Sequence, residues 1–68
     1  MNYEWERTYG DTVRYFDETG KIVGYVEAGH RYQHWNACAY CRGSLGQYMT
    51  QEQAMRAVEQ AVEGDSRG

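Results

Sequence analysis

The sequence predicts an α+β fold: an antiparallel β-sheet of three to five strands with one carboxy-terminal amphipathic helix packed on one face. Three observations predict it. Residues 50–63 carry a single apolar stripe at helical spacing behind a capping signal. The first two thirds alternate apolar and polar residues between glycine-bearing turns. All the strands precede the helix, and that order places a helix across a sheet rather than between parallel strands.

The helix is the clearest element. Thr50 is a good N-cap, because its hydroxyl can accept from the free N–H groups of the first turn. Gln53, three residues on, completes a capping-box pattern. Ala54, Ala57, Val58, Ala61 and Val62 form the buried stripe, and Gln51, Glu52, Arg56, Glu59, Gln60 and Glu63 are expected to face away. Gly64 is a stop signal. The stripe is made of small residues, so the helix can lie close to what it covers.

The strands follow in order. Tyr3 to Thr8 alternates Tyr3 and Trp5 with Glu4 and Glu6. After a turn at Tyr9-Gly10-Asp11, Thr12 to Phe16 is the second strand. Asp17 to Lys21 is a polar turn, with Gly20 available for a positive φ. Ile22 to Ala28 is the third, with Ile22 and Val26 on one face, Val23 and Tyr25 on the other, and Gly24 weakening it or marking a bulge. Gly29 and His30 connect to a fourth strand, Arg31 to Tyr40. Its odd positions, Trp35, Ala37 and Ala39, suit the face beneath the helix. Its even positions include Tyr32, His34, Cys38 and Tyr40. Cys41 to Ser44 turns the chain into a fifth strand, Leu45 to Met49. The expectation is one domain over residues 1–64 and a frayed tail over 65–68.

At 68 residues, such a domain buries only about 60% of its unfolded surface. Its hydrophobic content of 41% separates it from disordered chains. No apolar run approaches the ~20 residues that span a bilayer, and Met1 to Glu6 shows no basic segment followed by an apolar one. A cytoplasmic protein is therefore expected. The net charge of −3 disfavours a domain that lives on phosphate contacts. Seven tyrosines, two tryptophans and one phenylalanine exceed what one sheet and an alanine-rich helix can hide, so several rings must reach the surface.

Few residues suggest chemistry. His30, His34, Cys38 and Cys41 are zinc-ligand types, and Cys38-Ala39-Tyr40-Cys41 has the spacing of half a zinc knuckle. If 31–40 is a strand, however, His34 and Cys38 lie about 13 Å apart. No metal or cofactor is expected, and a small zinc-stabilised structural protein is the lesser alternative. There is no nucleophile elbow, and Gly43-Ser44-Leu45-Gly46 lacks the Lys and following helix of a phosphate loop. An enzyme is not expected.

The stretch Trp35-Asn36-Ala37, Leu45-Gly46-Gln47-Tyr48-Met49-Thr50, Glu52, Ala54, Ala57 and Ala61 resembles the second half of the plant ethylene-response-factor DNA-binding domain and the related amino-terminal domains of integrases. The resemblance spans about residues 20–63. It implies a three-stranded sheet on one helix, with arginines and tryptophans of the sheet entering the major groove. Lys21, Arg31, Trp35 and Arg42 are the residues here that would do so, while the strand Ile22 to Glu27 lacks the family's arginines. In style the chain is also similar to small phage-encoded inhibitors such as anti-CRISPRs, being short, acidic, aromatic-rich and free of proline.

Two functions follow as expectations. The first is a non-enzymatic protein-binding module, phage or mobile-element encoded, that docks on and inhibits a host nucleic-acid-handling complex as a monomer or homodimer. Tyr25, Tyr32, His34 and Tyr40 would be its anchors, and Glu52, Glu59 and Glu63 would pair with basic residues of the host protein. The alternative is a DNA-binding domain using Lys21, Arg31, Trp35 and Arg42.

Overall fold

The computed structural model describes residues 3–66, without the side chains of Thr8, Tyr9, Tyr32, Asp65 and Ser66. The elements are β1 (Glu4–Tyr9), β2 (Thr12–Phe16), β3 (Ile22–Ala28), a 3-10 turn (His30–Tyr32), β4 (Trp35–Ala39), β5 (Gly43–Tyr48) and α1 (Gln51–Ser66). The strands pair antiparallel in chain order, β1-β2-β3-β4-β5, as one meandering sheet. Short links between sequence neighbours, the longest being residues 29–34 between β3 and β4, account for this order, because a parallel neighbour would need a crossover of a dozen or more residues.

The helix lies across β3, β4 and β5. Small side chains let it approach. Ala37, Ala39 and Ala54 are buried with Val26 and Val58 in one cluster, as the odd positions of the fourth strand led one to expect. At Gly24 the approach is closest: a Cβ there would meet Val58 Cγ1 at 2.6 Å and the Cys38 carbonyl oxygen at 2.8 Å. The other half of this face, over β1 and β2, is closed by rings instead. Tyr15 stacks between Trp5 at 4.4 Å and Tyr3 at 5.3 Å.

Thr50 caps the helix. Its Oγ1 accepts the Gln53 backbone N–H at 3.1 Å, and its carbonyl accepts the Ala54 N–H. Thr50→Ala should therefore cost about 1 kcal/mol, read as a lowered denaturant midpoint with unchanged slope.

Four sequence expectations need correction. The helix runs through Gly64 to Ser66, so the domain boundary at 64 falls inside it; Arg67 and Gly68 of the expected tail lie outside the described residues. A glycine near a helix end costs only about 1 kcal/mol and does not force a stop. The fourth strand begins at Trp35 rather than Arg31. Residues 30–32 form the 3-10 turn, with Arg31 at φ 54°, and Gly29 closes the loop by donating its N–H to the His34 carbonyl at 2.8 Å.

The faces of β3 also differ from simple alternation. Tyr15 pairs with Gly24 and Phe16 with Ile22, leaving Val23 as an extra residue. That bulge sends Val23 to the core and Ile22 to the side of Tyr25. Finally, Glu59 and Glu63 do not simply face away. Trp5 Nε1–H donates to Glu59 at 2.8 Å, and the Tyr15 hydroxyl donates to Glu63 at 3.4 Å.

Candidate partner-docking face

The sheet has one face under the helix and the Tyr3–Trp5–Tyr15 stack, and one face that no described element covers. Strand alternation decides which side chains the open face receives. With Val13, Tyr15, Val26, Ala37 and Ala39 buried on the helix side, their neighbours Arg14, Phe16, Tyr25 and Cys38 must point the other way. Register aligns Glu6, Arg14, Tyr25 and Cys38 in one row across four strands.

Tyr25 and Tyr40 meet edge to face, with ring centroids 6.1 Å apart. Tyr40 is 56% exposed. With Thr12, Arg14, Ile22 and Glu27 the two rings line a shallow depression of about 460 Å³. Cys38 beside the phenol, and then burial, raise Tyr25 above the ordinary tyrosine range. A second depression of about 520 Å³ adjoins β1, lined by Glu4, Glu6, Phe16 and Glu18 among others. Asp17, nearby, accepts from the Thr19 hydroxyl and from the Thr19 and Lys21 backbone N–H groups. The Thr19 hydroxyl bond is the chief reason that its carboxyl titrates below the usual range.

The expected anchors are thus divided. Tyr25 and Tyr40 come together on the open face. His34 does not join them; its imidazole packs where a Cβ on Gly29 would sit. Tyr32 falls in the 3-10 turn, and its side chain is outside the described residues. The helix glutamates all have intramolecular partners: Glu52 pairs with Arg56 at 3.6 Å, Glu59 with Trp5 and Glu63 with Tyr15. Arg14, Phe16 and Ile22 were not foreseen as site residues. Arg14 and Phe16 flank the buried Tyr15, and that alternation was the signal available for them.

The residues assigned to DNA are also dispersed. Trp35 packs against the core on the helix side, Lys21 ends the link before β3, Arg31 sits in the 3-10 turn and Arg42 in the link before β5. The zinc-type residues separate as well. Cys38 lies beside Tyr25 on the open face, whereas the Cys41 thiol donates to the Ala61 carbonyl of the helix at 3.8 Å. Among the described residues, no three His, Cys, Asp or Glu side chains are grouped to hold a metal, and no helix is long and apolar enough to cross a membrane. Comparison with protein-family models, with curated proteins and with solved structures finds no match for this chain.

Proposed function

We propose that this chain is a non-enzymatic binding module that docks on a host protein through the open face of its sheet. One observation carries the reading: Tyr25, Tyr40 and Phe16 stand on a sheet face that no described element covers. Tyrosine is among the residues that concentrate binding energy when a partner desolvates it. The shallow form of both depressions suits a protein surface better than an enclosed small-molecule site.

The concrete version is an inhibitor of the phage or mobile-element type, acting in the host cytoplasm on a nucleic-acid-handling complex. Its support is the likeness of style to small phage inhibitors. The test is affinity capture from host extract with wild type, Tyr25→Ala/Tyr40→Ala and Met49→Ala. Met49 is 76% exposed between β5 and α1 and serves as the control ring-free site. A specific partner should be lost with the tyrosine pair, by tenfold or more, and retained with Met49→Ala, while all three proteins keep their far-ultraviolet circular dichroism. Equal capture by the tyrosine variant would overturn the reading.

A further inference from the structure

The charges around the exposed Tyr40 and the half-buried Tyr25 and Phe16 bear on what the face accepts. Glu4, Glu6 and Glu27 project on the open side of β1 and β3, and Glu18 adds a fourth carboxylate at the turn after β2. All four are exposed. Among the described residues, two cations stand near them: Arg14, whose register partner on β1 is Glu6, and Lys21, which lines a neighbouring depression with Ile22 and Tyr40. The rings and carboxylates alternate: Phe16 lies opposite Glu4, and Tyr25 and Tyr40 share their depression with Glu27.

Guanidinium and ammonium groups are stabilised by both components, by aromatic faces through the ring quadrupole and by carboxylates through charge-assisted hydrogen bonds. An acidic or neutral partner would leave the carboxylates desolvated without a counter-charge, which costs free energy.

Resting on the docking reading above, we infer that the occupant of this face is a protein surface rich in arginine and lysine, whose side chains lie over Tyr25, Tyr40 and Phe16 and pair with Glu4, Glu6, Glu18 and Glu27. Cationic surfaces of this kind are also the ones that hold phosphate backbones. A chain seated there would exclude nucleic acid from the same surface.

The test uses the full chain, nitrogen-15 labelled, titrated with three short synthetic peptides of equal apolar content. One is arginine- and lysine-rich, one glutamine-rich and one glutamate-rich. The basic peptide should shift the amides of Glu4, Glu6, Arg14, Tyr25 and Glu27, leave those of the helix near Glu52 and Glu63 unmoved, and weaken with added salt. Glu4→Gln/Glu6→Gln should weaken it about three- to tenfold, and Tyr25→Ala/Tyr40→Ala should weaken it at least as much. Glu52→Gln should change nothing.

If the glutamine- or glutamate-rich peptide shifts the open face as strongly as the basic one, the charge inference fails and the docking reading survives. If the basic peptide gathers on the helix, the inference fails because only net charge is at work. If no peptide moves an open-face amide, both readings fall.

Discussion

Gly24→Ala should destabilise the domain by about 2 kcal/mol or more, although it adds a single methyl to a strand. The methyl would arrive 2.6 Å from Val58 Cγ1 and 2.8 Å from the Cys38 carbonyl oxygen. Val58 is fully buried and the carbonyl belongs to the neighbouring strand, so neither can rotate aside. Overpacking of this kind costs about 1–3 kcal/mol, and a chain of this size has on the order of 3–5 kcal/mol in total. Urea unfolding followed by circular dichroism should show a much lower midpoint. Gly10→Ala, where nothing lies within 4 Å, should stay within about 0.5 kcal/mol of wild type. In a Val58→Ala background the cost of Gly24→Ala should shrink, because one of its two clashes is gone. Equal cost in both backgrounds would mean that the helix does not limit the site.

Tyr15→Ala should be the other severe change, at about 3–5 kcal/mol by analogy with truncating a buried ring. Tyr15 is 4% exposed and sits between Trp5 and Tyr3, where no helix residue replaces it. Tyr15→Phe keeps the ring and loses one long bond to Glu63, so it should cost no more than about 1 kcal/mol. The two variants also differ from wild type in alkaline solution. Burial, followed by the charges of Glu63 and Glu59, raises the folded-state pKa of Tyr15. The unfolded chain therefore ionises first, and wild-type stability falls as pH rises above about 10. Tyr15→Phe should have a flatter stability profile between neutral pH and pH 11, measured by urea midpoint. An unchanged slope would show that the phenol is not held neutral by the fold.

The parts of the architecture with short-range causes were legible in the residues. Thr50 marks the start of the helix because the cap is a local hydrogen bond, from the Gln53 backbone N–H to its hydroxyl. Ala37 and Ala39 mark the covered strand because a close helix needs small residues beneath it. The features that were not legible depend on residues far apart in the chain. Glu59 reads as a solvated helix acid until Trp5, 54 positions away, is placed beside it. The bulge at Val23 appears only when β3 is laid against β2. Of the docking face, Tyr25 and Tyr40 were visible as surplus rings. His34 was not separable from them, because its packing beneath Gly29 depends on the 3-10 turn that replaces the start of the fourth strand.

Both tryptophans lie on the helix side of the sheet. Trp5 is tied to Glu59 near one flank, and Trp35 packs against the core under the other. Among the described aromatic side chains, those on the uncovered side are Phe16, Tyr25 and Tyr40. The indoles therefore report one layer only. Phenols lie in both, Tyr3 and Tyr15 beside Trp5 and Tyr25 and Tyr40 opposite, so a change in indole emission marks loosening of the helix side, whereas a change in phenol absorption without one marks engagement of another molecule on the far side.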